Sequence, residues 1–111
     1  MALFDWLLVG HLVGDFLLQP RWMAERKERE TLPLVIHCVV YTVVVAIFAQ
    51  LAGGLSISAV VLVFFSHLFL DRRVFVDFWA HKVTGSGDSN WLKVIYDQTW
   101  HLIVLVIATL I

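Results

Sequence analysis

Seven side chains of this sequence have the chemistry of metal ligands, and they recur at one spacing. His11 and Asp15 are four residues apart, with Gln19 at the same interval; His37 is followed four later by Tyr41, His67 by Asp71, and Asp97 by His101, with Gln98 beside the last pair. Four residues is about one helical turn, so each set makes a stripe on one helix face. Neutral imidazole nitrogen and ionised carboxylate oxygen suit zinc, manganese, iron or cobalt. His11, Asp15, His37, His67, Asp71, Asp97 and His101 are therefore expected to hold one or two divalent ions of the zinc or manganese/iron type. Seven ligands exceed one tetrahedral shell, so the surplus either orients the others, as an Asp does a His, or holds a second, bridged ion. Asp15 and Asp97 are the expected catalytic carboxylates, and Gln19, Tyr41 and Gln98 are expected around the ligands.

The elements that must position these residues follow from composition. Of 111 residues, 60% are hydrophobic and only 15% charged, with a mean hydropathy of +0.85. Soluble domains are nearer a quarter charged, and a soluble chain this small would leave much apolar surface wet. The 14% aromatic content excludes disorder, and the single cysteine, Cys38, excludes a disulfide scaffold. The apolar runs lack the alternation of a membrane barrel. The expected fold is all-α: an integral membrane four-helix bundle, up-down-up-down, forming one transmembrane domain over 1–111 with helices at about 2–19, 32–52, 55–72 and 91–111. Met1–Leu18 carries Asp5 and Asp15 and no basic leader, so a retained helix is expected there rather than a secretory signal. Thr31 is expected to cap the second helix with Pro33 in its first turn, Gly53-Gly54 to turn the chain, Ser56 to cap the third helix, and residues 85–90 to form a linker ending in cap candidates.

The basic residues Arg21, Arg26, Lys27, Arg29, Arg72, Arg73, Lys82 and Lys93 all lie in the first loop, the third loop or the adjoining helix ends. The positive-inside rule then puts both loops in the cytoplasm and both termini outside. Trp22, Trp79 and Trp91 fit an interfacial belt. Short interfacial helices are expected at Arg21–Glu30 and Val74–Val83, with the charges of Glu25–Glu30 on a solvated face. In this topology all four helices bring ionisable groups to one depth near the cytoplasmic leaflet. A central Asp costs about 2.5–3.5 kcal/mol on insertion scales, which a bound cation offsets. The alternative is that the His/Asp pairs serve as hydrogen-bond glue between helices. Cys38 is read as a small core residue and His81 as solvent-facing.

The stretches HLVGDFLLQP, the isolated His37, SHLFLD and DQTWH together resemble a family of small bacterial and phage membrane proteins known as domain of unknown function 3307. The resemblance covers almost the whole chain and rests on His11, Asp15, Phe16, Gln19, His37, His67, Asp71, Asp97, Gln98 and His101. It implies a bacterial-type inner membrane location and supplies no activity. In arrangement the chain is also loosely similar to small membrane-bound metal-dependent hydrolases. Three functions follow. A metal-dependent hydrolase would activate water at the ion, with Arg72, Arg73 and Arg21 holding an anionic headgroup or phosphate-containing substrate, unless these arginines act only as positive-inside anchors. Metal-ion or proton handling, alone or within a transporter, is the second, although the outer half offers little polar lining beyond Asp5, Gln50 and Ser58. A non-catalytic membrane partner is the third. The lipid bilayer is the expected partner, nucleic acid is not, and a homo-oligomer suits so small a bundle.

Overall fold

The computed structural model describes residues 2–111, and its regular structure is helical, with no strand among those residues. There are six α-helices: α1 (Leu3–Leu12), α2 (Arg21–Arg26), α3 (Thr31–Ala49), α4 (Ile57–Asp71), α5 (Val74–Phe78) and α6 (Asn90–Leu110). A π-helical turn (Val13–Leu17) continues α1, a 3-10 turn (Gln50–Ala52) continues α3, and a second π-helical turn (Trp79–Val83) continues α5. Thr31–Ala52 and Asn90–Leu110 are long and apolar enough to cross a membrane, and Ile57–Asp71 is a shorter apolar helix.

Close packing sets the helix directions. Gly10 lies against Val45 and Phe48, and Gly14 against Tyr41, so α1 and α3 run antiparallel. A Cβ at Gly10 would stand 3.0 Å from the Val45 Cα, and one at Gly14 would stand 3.0 Å from the Tyr41 ring. These two glycines, four apart, form the small-residue face that lets membrane-type helices approach closely. α3 reverses into α4 through Gly53 (φ +100°) and Gly54 (φ +88°), conformations that side chains with a Cβ avoid. Ser56 caps α4, its hydroxyl accepting from the Ala59 N–H at 3.0 Å and donating to the Ile111 carbonyl at 3.1 Å. α4 packs on α3 and α6, and α6 closes onto α1.

Between the helices the interior has two layers. Leu7, Tyr41, Val45, Ala49, Ala59, Val63, Leu105 and Ala108 form the apolar core. Beyond it, toward the end carrying α2 and α5, the interior switches to buried His and Asp. Large apolar side chains are numerous on the outer surface: Leu17, Leu32, Ile57 and Leu110 are 70–85% exposed.

At the helix starts, two capping expectations give way. Thr31 is the first helical residue rather than the cap; Glu30 before it is extended, and the Thr31 hydroxyl instead accepts from Arg72 Nη2 at 2.7 Å. Ser89 stands at the start of α6 without a side-chain capping bond. α5 and the π-helical turn after it are fastened to α6 by Phe75 and Trp79, whose rings meet Trp100 at 5.0 and 5.2 Å.

Candidate metal centre

The four long segments each deliver part of one buried cluster. His37 enters from the second turn of α3, His67 and Asp71 from the last turns of α4, and Asp97 and His101 from the middle of α6. Asp15 comes from the π-helical turn after α1, where the Leu18 N–H reaches back five residues to the Val13 carbonyl at 3.0 Å. Such turns widen the helix locally and are frequent at functional sites.

The Nε2 atoms of His37 and His67 stand 2.8 Å apart. His37 Nε2 is 3.0 Å from Asp15 Oδ1 and 3.0 Å from Asp71 Oδ2; His67 Nε2 is 3.3 and 3.1 Å from the same two oxygens. Four ligands on one tetrahedral ion at 2.0–2.1 Å stand about 3.3 Å from one another, so these separations are those of a slightly contracted shell. Two neutral imidazoles can share only one proton between facing nitrogens, and the carboxylates only accept. The convergence therefore calls for positive charge at its centre. His37 Nδ1 and His67 Nδ1 have no hydrogen-bond partner. Packing orients these rings: Tyr41 stacks on His67 with ring centres 3.7 Å apart and planes 10° apart.

Asp71 belongs to a second group as well, with Asp97 and His101. His101 Nδ1 donates to the Asp97 backbone carbonyl at 2.7 Å, and His101 Nε2 faces Asp71 Oδ1 at 3.1 Å. Asp97 Oδ2 accepts from Gln98 Nε2 at 3.2 Å, while Asp97 Oδ1 is buried without a partner.

His11 lies outside both groups, although a ligand role is expected of it from sequence. Gln98, whose amide nitrogen serves the Asp97 carboxylate, turns its Oε1 to His11 Nε2 at 2.7 Å. That leaves His11 Nδ1 to accept from the Tyr41 hydroxyl, also at 2.7 Å. Both ring nitrogens are taken, and His11 positions Tyr41 and Gln98. Gln19 donates to the Asp15 backbone carbonyl at 2.9 Å.

Lys27 was hidden in the sequence within a run of charge expected to be solvated. It is buried instead, with Nζ 2.8 Å from Asp71 Oδ2. α2 folds back over the cluster with Met23 and Lys27 on its inner face, while Arg21 pairs with Glu25 and Arg26 with Glu30 on the outside. The signal was present: those two four-residue pairs leave Lys27 without a partner one turn away in either direction. The Gly10/Gly14 spacing is a second legible signal that a search for ligands passes over.

The basic residues separate. Arg21 is exposed and Arg72 is held by Thr31, away from the cluster. Arg73 adopts a left-handed conformation (φ +64°) between α4 and α5, and its Nη2 lies 3.9 Å from Asp97 Oδ2. Arg73 and Lys27 line a cleft of about 200 Å³ together with Asp15, Gln19, Asp97 and Gln98, with Phe16 and Val94 also on its walls. Cys38 is fully buried and His81 is exposed.

Comparison with known proteins gives one match. A family model described as a protein of unknown function (DUF3307) matches residues 3–111. No curated protein and no solved structure matches the chain.

Proposed function

The chain belongs to the DUF3307 family, whose description carries no activity, and from the geometry we propose an integral membrane protein that holds a divalent metal ion and hydrolyses a phosphate-bearing substrate at the cytoplasmic leaflet. The observation that carries this reading is the convergence of Asp15 Oδ1, His37 Nε2, His67 Nε2 and Asp71 Oδ2 from three helical segments. Asp15 is at once a member of that group and a wall of the cleft, so an ion there is approached from the cleft. When bound, the ion lowers the pKa of its water toward 7 and polarises a phosphoryl oxygen. Lys27 and Arg73 supply the cations an anionic substrate needs in a low-dielectric site. With a single ion bound, Asp97, a wall of the cleft whose Oδ1 is buried without a hydrogen-bond partner, is the base for the attacking water.

Placement in a bilayer as a four-helix bundle draws on the two long apolar helices, the exposed apolar belt and the gathering of all basic residues at one end. α2 and α5 then lie at the cytoplasmic interface, with both termini outside. His37 sits six residues into α3, about 9 Å along the axis; in this reading that depth lies below the headgroups, beside a cleft open to lipid-borne phosphate.

The test is metal content by mass spectrometry on detergent-purified protein, with phosphate release from a soluble phosphomonoester measured alongside. Near-stoichiometric metal and metal-dependent release are expected in the parent, with both lost in His67→Ala while helicity is retained. A folded parent that takes up neither Mn2+ nor Zn2+ overturns the metal reading. Stoichiometric metal with no release from soluble or lipid phosphoesters overturns the hydrolase.

A further inference from the structure

Asp71, Asp97 and His101 carry an observation the first metal position does not use. The Asp97 carbonyl can only accept, so the proton of a neutral His101 is on Nδ1 and its Nε2 offers a bare lone pair. That lone pair faces a carboxylate oxygen, Asp71 Oδ1, at 3.1 Å. Two acceptors at hydrogen-bond distance need a proton or a cation between them. Asp97 decides between the two. Its side chain is buried and its Oδ1 has no hydrogen-bond partner; His101 Nδ1, 3.7 Å away, already gives its proton to the Asp97 carbonyl, so a proton added at Nε2 against Asp71 leaves that oxygen unbonded. A cation serves all three at once.

We infer a second metal position, held by His101, Asp97 and Asp71 Oδ1 and bridged to the first through the Asp71 carboxylate, whose Oδ2 faces His37 and His67. The inference rests on the metal reading above and extends it to a two-metal centre. Carboxylate-bridged pairs of this kind stand about 3.5–4 Å apart and clamp the attacking and leaving oxygens of a displacement at phosphorus. The two positions differ in kind. The first draws on four protein ligands, whereas the second has three and keeps an open place, as catalytic ions do. Asp97 is also a wall of the cleft, so that open place is at the cleft.

Charge sets a condition on filling it. The three buried carboxylates against Lys27 and Arg73 leave one negative charge with the histidines neutral, the exposed Glu28 3.8 Å from Arg73 lying outside the buried cluster. A single divalent ion already exceeds it. The second ion therefore enters together with an anion, and inorganic phosphate tightens its binding.

Detergent-purified full-length protein is stripped with chelator and titrated with Mn2+, with and without inorganic phosphate, reading bound metal per chain and the electron paramagnetic resonance spectrum. Two Mn2+ per chain in phosphate, with a spin-coupled spectrum, is the expected result. His101→Ala and the isosteric Asp97→Asn are each expected to reduce the count to one and restore the six-line spectrum of an isolated ion, with circular dichroism reporting that the fold is kept. One Mn2+ per chain with phosphate present overturns the second position and leaves the first standing. No bound metal in folded parent overturns both. Two ions that persist in both variants, or that never couple, also overturn this assignment.

Discussion

Replacing Lys27 by methionine separates an ion pair that merely holds the helices from one that stands beside a metal. The ammonium lies 2.8 Å from Asp71 Oδ2, with side chains 11% and 3% exposed. At an effective dielectric of 20, unit charges at that distance attract by roughly 6 kcal/mol. Part is returned because Lys27 no longer has to be desolvated, and losing one partner of a buried pair costs about 3–5 kcal/mol. Methionine retains much of the lysine stem, so the loss is mainly one of charge rather than of packing. A divalent ion on the His37 and His67 side of Asp71 supplies the missing positive charge. Lys27→Met is therefore expected to lower unfolding free energy by about 3 kcal/mol in chelator and by less than about 1 kcal/mol in saturating Mn2+. The difference of about 2 kcal/mol must reappear as roughly 30-fold tighter metal binding, because linkage closes the cycle. The assay is denaturant titration in detergent followed by circular dichroism, with direct Mn2+ titration beside it. Equal destabilisation with and without Mn2+ refutes the reasoning, since Asp71 then has no metal to replace the ammonium.

Gly14→Ala places a methyl 3.0 Å from the Tyr41 ring and 3.3 Å from its Cα, and Tyr41 is confined by its stacking on His67 and its bond to His11. We expect about 1–3 kcal/mol of destabilisation and weaker metal binding; unchanged metal affinity would show that Tyr41 does not set the His67 ring. Arg73→Gly relieves a left-handed residue, worth about 1–2 kcal/mol, and loses two long ion contacts, 3.8 Å to the exposed Glu28 and 3.9 Å to Asp97. Stability should therefore hold or rise while KM for a phosphomonoester increases at least about tenfold; an unchanged KM removes Arg73 from substrate binding.

Much of this protein can be read from local pattern because its determinants are local. Apolar runs dictate helices wherever they occur, and a His and an Asp one turn apart share a helix face whatever that helix meets. The stripes at 67/71 and 97/101 therefore point to one end of the molecule before any packing is known. His11 marks where this logic stops. It has the same spacing to Asp15 as His67 has to Asp71, but its hydrogen bonds go to Tyr41 and Gln98 and Asp15 stays 3.6 Å away, because a side chain's partner is chosen by the neighbouring helix. The π-helical turn at Asp15 is equally unmarked, since five residues of apolar sequence around one acid fit either helix type.

The amino-acid sequence by itself determined that the chain is helical and apolar, that its basic residues cluster in two segments between apolar runs, and that His and Asp recur one turn apart. These are properties of neighbours within a single helix, where spacing alone fixes direction. Only the tertiary structure decided that α2 folds inward to bury Lys27 against Asp71, that Asp71 turns one oxygen to His37 and His67 and the other to His101, and that Arg73 reaches the cleft from a left-handed turn. Each depends on where a different helix stands, to within the fraction of an ångström that separates a ligand contact from none, and no spacing along one helix contains that distance.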